Sequence, residues 1–388
     1  SGSASIGLGA IFLLFLLLLA GVPVVFSLMT AASVGIAVMK GDFLVAANSL
    51  GLVVNSAATS YVLAAVPFFI LMGLVVGKAN IGRDSLTVAH WLFRSIKGGF
   101  GVATVAANTV FAAITGISIA SAAIFSRVAA PPMIELGFTA RFSLGLIAGS
   151  SVLGMLIPPS LLLIIYGVIA EVSINKLFLA AIVPGIILAL MLCATVIICV
   201  FFRLPFAVTP EYSDVPPKPE KINTILLMMA PTLTLLLVVI GGIYGGIFTP
   251  TEAGAVGALM AIFIALAMKR VTFVHTYHLI KDAAGKTASI LLMVIAATSF
   301  GLMITLSGLP DIMSSIASGS GLGLTGYVFI YLVALVLLGM VLDSTSILLI
   351  MVPLAMPTVL NLGGDLVWFG IITVIGVEVG LLTPPLGL

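Results

Sequence analysis

The chain has 388 residues, of which 62% are hydrophobic and only 7% charged, with a formal net charge of +2. So little charge excludes a soluble globular domain, and so small a net charge excludes nucleic acid as a partner, so the charges have to be read by location in a bilayer. Cys193 and Cys199 are the only cysteines and point different ways from one expected helix, so neither a disulfide nor a metal site is expected, and both are read as core residues.

The opening "SGSAS" lacks Met, and the residues from Ile6 have neither a positive flank nor a cleavage pattern. A processed or expression-derived start is therefore expected rather than a signal peptide. Apolar runs able to cross roughly 30 Å of hydrocarbon recur from Ile6 onward. Spans are expected at 6–22 and 23–39, then a long tilted one near 44–77. The stretch "RDSLTVAHWLFRSIK" (83–97) is amphipathic and basic, with interfacial aromatics, and is expected to lie flat on the inner surface with His90 solvated. A re-entrant helical pair at 99–130, a broken helix at 142–171 and a span at 177–202 follow, and the polar loop 204–221 divides the chain into halves. The second half is read as spans at 222–246 and 250–268, a basic arm at 269–282 carrying His275 and His278, a span at 287–308, a re-entrant pair near 326–361 and a broken helix at 366–388. With the N-terminus outside, all but two of the fifteen Lys and Arg fall on the inner side, the exceptions being Lys40 and Lys176.

The halves repeat one another. "GMLIPPS" (154–160) pairs with "GLLTPPL" (380–386) and "PPMIELGF" (131–138) with "PTVLNLGG" (357–364), both at an offset of 226, while Pro23 and Pro250 are 227 apart. One offset shared by several landmarks indicates an internal duplication. An odd number of intervening spans makes the repeats inverted, a pattern of transporters whose two half-sites meet near the bilayer midplane.

That pattern gives the prolines a chemical role. Pro158 and Pro159 lack N–H groups and free the carbonyls of Gly154 and Met155, and Pro384 and Pro385 do the same for Gly380 and Leu381. Unwound backbone at this depth has to be buried or line a cavity, and each break starts a half-helix whose positive end suits an anion. The hairpin tips add oxygens: "ITGISIASA" (114–122) carries Thr115, Gly116, Ser118 and Ser121, and aligns with "MVLDSTSIL" (340–348), which carries Asp343, Ser344, Thr345 and Ser346. Hydroxyls and a carboxylate beside freed carbonyls suit a hard cation such as Na⁺. The expected Na⁺ ligands are Thr115, Gly116, Ser118, Gly154, Met155 and Pro158 in the first half, and Asp343, Ser344, Thr345, Gly380, Leu381 and Thr383 in the second. Substrate contacts are expected at Ser118, Pro159, Ser160, Ser346, Pro384 and Pro385. A plain proline kink, or hydroxyls that serve helix packing alone, is the competing reading.

Asp343 and Glu378 lie at expected membrane depth, where a charge costs on the order of 3 kcal/mol. Asp343 is read as a cation ligand or network residue, and Glu378 as a supporting group or half of an ion pair. Arg127 is read as an interface anchor or a contact for a substrate carboxylate. No Ser-His-Asp set, HExxH, Walker A or dinucleotide fingerprint occurs, so an enzyme or an ATP-driven machine is not expected.

"GGIYGGIFTPTEAGAVGAL" (241–259), "GMLIPPSLLLIIYGVIAEVSINKLFLAAIVPGI" (154–186) and "WFGIITVIGVEVGLLTPPLGL" (368–388) resemble the large membrane subunit of tripartite ATP-independent periplasmic (TRAP) transporters over essentially the whole chain. The resemblance implies an all-α polytopic membrane protein of the elevator type, with inverted repeats, two re-entrant hairpins and two broken helices. It implies Na⁺-coupled uptake of an organic acid, with two or more Na⁺, across a bacterial inner membrane, the N-terminus being periplasmic. It also implies two partners, a periplasmic substrate-binding protein and a small four-helix membrane subunit, and a further helix beyond Leu388. On this reading 1–77 and 222–286 are scaffold, the latter with its arm, and 78–98 is the inner arm of the first half. The transport parts are 99–176 and 287–388, with 177–221 as linking helix and loop. Alternatives are a stand-alone carboxylate–Na⁺ symporter and a channel, although a channel needs a continuous polar stripe and the oxygens here cluster at two duplicated spots. An intramembrane hydrolase is a more distant alternative, since no His lies at depth to act as base.

Overall fold

The structure, a computed structural model, describes residues 2–213, 221–319, 321 and 323–384. Among these residues the regular structure is helical, apart from one isolated antiparallel bridge between Phe138 and Val208. Seven helices are long and apolar enough to cross a bilayer, or nine if each of two bent pairs forms one span. Helices satisfy their own backbone groups, so this is a polytopic α-helical membrane fold.

The duplication recurs in helix ends and caps. Val24 and Pro250 each begin a helix, Ser118 and Ser344 begin the second arms of two helical hairpins, and Ala140 and Leu366 begin the two helices that lead to the proline breaks. Leu156 and Leu382 end those helices. The turns before Ala140 and Leu366 match bond for bond. Gly137 and Gly363 both have positive φ, Phe138 N donates to Met133 O as Gly364 N does to Val359 O, and Thr139 and Asp365 cap with side chains that accept from the amides of Phe142 and Trp368. A side-chain oxygen placed three residues before the amide it caps fixes a helix start through local chemistry.

Three elements differ from the sequence expectation. The span expected at 44–77 is two helices, Phe43–Ala58 and Ala65–Lys78, joined by a 3₁₀ turn at Tyr61–Ala64. Here the Thr59 hydroxyl donates to Asn55 O at 2.9 Å, a local bond that competes with continuing the helix. The second basic arm and the span after it are one helix, Phe273–Ser307, because charged residues and a lone Gly285 do not interrupt a helical ladder. The first arm is the helix Ile81–Leu92, whose apolar face is covered by Gly99–Thr115 and Ile222–Leu236 instead of being left for lipid. His90 is accordingly half-buried, edge-on to Phe100 at 4.7 Å, and burial holds its imidazole below the usual histidine range.

The chain forms two compact units, one from Ala65–Leu161 and Phe178–Gly285, the other from the residues up to Ala64, Leu162–Leu177 and the stretch from Lys286 onward. In the former, Ala65–Lys78 packs on Pro250–Ala267, where a Cβ at Gly254 would lie 3.1 Å from the Phe69 ring and one at Gly257 2.8 Å from Met72 Sδ. The start of Pro250–Ala267 explains "FTPTEA". Thr249 caps the helix, Pro250 takes its first position, and Glu252 accepts from Thr249 N at 2.8 Å to close a capping box. An ion pair at 2.5 Å links Arg270 to Asp84, and Arg270 also donates to Ala79 O at 3.0 Å. In the latter unit, Tyr166 is fully buried against Gly370 and donates to Leu366 O at 2.6 Å.

Candidate functional site

In the unit containing Ala65–Leu161, the first hairpin is Gly99–Thr115 and Ser118–Val128. Its tip turns on Gly116, which has φ +64 and donates its amide to Ala112 O at 2.7 Å. The helix that begins at Ala140 ends where Ile157 becomes extended, followed by the cis peptide between Pro158 and Pro159. Tip and break meet. A Cβ on Gly116 would lie 3.2 Å from Pro159 O, and one on Gly154 would lie 2.8 Å from Ala112 O. The glycine in Gly-x-x-x-Pro-Pro is there because backbone packs against backbone. Gly116 is thus brought to Pro159 and Gly154 to Ala112, with Thr115 next to the tip glycine. Ser160 donates its hydroxyl to Met155 O, so one of the two expected free carbonyls has a hydroxyl partner and Ser160 is a brace within the break. The Ser118 hydroxyl is fully buried and without a partner among the described residues, an orphan oxygen at the tip. Such a group fits a cation ligand, since a buried hydroxyl left unpaired is otherwise costly.

Sequence reasoning missed Asn108. It is fully buried, donates to Ser150 Oγ at 2.7 Å and Ile147 O at 3.0 Å, and accepts from Ser121. This one amide ties both hairpin arms to the helix that leads into the break. Its signal was an amide in an otherwise apolar run, where polar side chains are expensive and need partners.

In the other unit, the second hairpin is Gly323–Gly339 and Ser344–Asn361. A Cβ on Gly339 would lie 2.5 Å from Gly380 Cα, so hairpin and helix again meet through glycines. The two carboxylates sit in different surroundings. Asp343 is exposed and acts as a helix cap, taking Thr345 N at 3.1 Å, Ser346 N at 3.2 Å and Ser346 Oγ at 2.5 Å. Glu378 is 0% exposed and accepts from the tip residue Ser344 at 3.0 Å. The Gly380 carbonyl, expected to be freed by Pro384, accepts Thr383 N at 3.0 Å because the last turn tightens, and Thr383 Oγ1 donates to Val379 O at 2.8 Å. Leu381 is buried and Pro384 exposed, while Pro385 lies outside the described residues. Arg127 is exposed, at the end of the first hairpin's second arm.

The family described as tripartite ATP-independent periplasmic transporter, DctM component, matches residues 11–388. The chain belongs to that family. The chain is 34% identical over 346 residues to the C4-dicarboxylate TRAP transporter large permease protein of Pseudomonas aeruginosa, a match covering 88% of this chain and 79% of that protein. It is 31% identical over 391 residues to the sialic acid TRAP transporter large permease protein of Vibrio cholerae, covering 98% and 87%. A solved structure, the YdaH transporter of Alcanivorax borkumensis, described as having an unusual topology, is similar in fold at TM-score 0.58 and 13% identity, over 83% of this chain and 75% of that one. The chain is therefore a multi-pass permease subunit of a TRAP transporter and not an enzyme.

Proposed function

We propose that this permease carries an organic acid across the bacterial inner membrane by Na⁺-coupled symport, taking it from a periplasmic binding protein and working beside a small membrane subunit. The observation that carries the reading is a motif built twice, a hairpin tip whose oxygens stand at a glycine contact with a proline-broken helix. Oxygen donors suit Na⁺, and among the described residues no group of three His, Cys, Asp or Glu offers the ligand set of a softer metal. The first site would use Thr115, Ser118 and backbone of 154–160, and the second Ser344, Thr345 and Glu378 with backbone of 380–383. The start of the half-helix Leu161–Ile169, beside Ser160, suits the substrate carboxylate, and the names of the relatives, dicarboxylate and sialic acid permeases, support an organic acid. Inverted repeats moving as an elevator supply alternating access. Proteoliposomes holding the permease and its small subunit, given binding protein and a panel of organic acids, should take up one class under an inward Na⁺ gradient. Equal uptake with K⁺ in place of Na⁺ would overturn the coupling.

A further inference from the structure

One end of the helix Ile174–Phe201 is the end that the Lys and Arg distribution assigns to the cytoplasmic surface, and there residues 203–213 fold back onto 136–139. Thr139 N donates to Ala207 O at 2.9 Å, Thr139 Oγ1 to Phe206 O at 2.6 Å, and Thr209 N to Gly137 O at 2.8 Å. Phe138 stacks on Phe142 with ring centroids 6.0 Å apart and meets Tyr212 edge-on at 5.0 Å. Gly137 has φ +91, and a Cβ there would lie 2.6 Å from Tyr212 Cα, so the close approach requires glycine. The result is a fixed platform, and two openings border its 200–206 stretch.

The larger opening is a groove of about 590 Å³ between Ala140–Ser151 and the helix Ile174–Phe201, walled by Gly145, Leu146, Leu192, Pro205 and Phe206, with Arg141 at its rim. The smaller, about 330 Å³, has Lys97 and Arg203 in its lining. Among the described residues no carboxylate lines either opening, although Glu135 and Glu211 stand exposed on the platform. Around them Phe201, Phe202 and Phe206 are 62%, 65% and 62% exposed, the signature of aromatic rings set where hydrocarbon gives way to headgroups.

We propose that this platform binds an anionic phospholipid of the cytoplasmic leaflet, with an acyl chain along the groove and the headgroup at the cationic rim of Arg141, Arg203 and Lys97. Charge complementarity selects that occupant. An apolar trough lined by Arg141, next to an opening lined by Arg203 and Lys97 and with no acid among the described lining residues, matches an amphiphile with a negative head, whereas an inorganic anion would gain nothing from the leucine wall. Lys97 already shows the geometry, its Nζ 5.3 Å over the Phe201 ring with the charge held at the opening.

The test is native mass spectrometry of the full chain with phosphatidylglycerol or phosphatidylcholine of matched chains. Phosphatidylglycerol should be retained several-fold better, and the triple change K97Q/R141Q/R203Q should bring the two to parity. Gly145→Leu places its side chain in space that holds no atom within 4 Å of the Cβ, so it should block the groove and weaken retention of both lipids with thermal unfolding unchanged. Equal retention of the two lipids by the unaltered chain would overturn the proposal, as would displacement by glycerol phosphate or inorganic phosphate, which marks a free-anion site. A photo-crosslinker at Leu192 in membranes holding the assembled transporter should capture lipid, and capture of polypeptide would assign the groove to a subunit contact instead.

Discussion

At the scale of single residues, what decides a role is whether a group's oxygens are already committed. Asp343 holds three donors of its own first helical turn and is exposed, whereas Glu378 is buried and reaches the hairpin tip through Ser344. Glu378→Gln should therefore raise the Na⁺ concentration needed for half-maximal uptake by about tenfold, one step of about 1.4 kcal/mol. Asp343→Asn, which keeps a capping oxygen, should leave that concentration close to its original value, and Asp343→Ala should lower thermal stability by about 1 kcal/mol. A larger Na⁺ shift for Asp343→Asn than for Glu378→Gln would restore the tip carboxylate as the ligand. Asn108→Ala strands the partners of one amide, Ser121, Ser150 and the Ile147 carbonyl, and should destabilise the permease by about 1–3 kcal/mol in thermal unfolding. Unchanged stability would mean the network is replaced at little cost.

Hairpins and breaks work as paired elements, and their glycines set how closely each pair meets. Gly116→Ala puts a Cβ at φ +64 and 3.2 Å from Pro159 O, so a left-handed penalty of about 1–2 kcal/mol should appear together with impaired uptake. Gly339→Ala sets a Cβ 2.5 Å from Gly380 Cα, where neither backbone can yield cheaply, and should be worse. Gly145→Ala meets open space and should match or exceed the unaltered stability. Uptake that survives Gly116→Ala and Gly339→Ala as well as it survives Gly145→Ala would sever the link between close approach and function. These elements were legible in sequence because proline and glycine act locally and were written twice at one offset. The sequence left Asp343 open between a ligand and a network residue because a carboxylate one position before a Ser-Thr-Ser helix start looks the same as a ligand and as a cap until its partners are seen. Asn108 showed in sequence only as a lone amide in an apolar run, because its three contacts come from residues 13 to 42 positions away. The break at Thr59 and the continuity of the helix Phe273–Ser307 were missed because hydrophobic runs report burial in lipid but not where a hydroxyl ends a helix or where charges let one continue.

For the whole permease the question is how substrate reaches it. Lys40, Asp42, Glu171, Lys176 and Asp311, the charges the sequence sets on the outer side, are all exposed in the structure. Two of them also serve the fold, since Asp42 caps Phe43–Ala58 through Leu44 N at 2.7 Å and Asp311 holds Asn361 at 2.8 Å. Lys40, Glu171 and Lys176 are therefore the cleaner probes of docking. Charges on the rim of an interface act chiefly on encounter, so reversing them should change the concentration of binding protein needed for half-maximal uptake and make that shift depend on ionic strength. The Na⁺ requirement should stay the same, because these side chains take no part in either oxygen cluster. The permease reconstituted with its small subunit but without binding protein should show little uptake of free substrate. If free substrate is carried as fast without the binding protein, or if the charge reversals move the Na⁺ dependence instead, the permease is a stand-alone symporter and the exposed charges are not a docking surface.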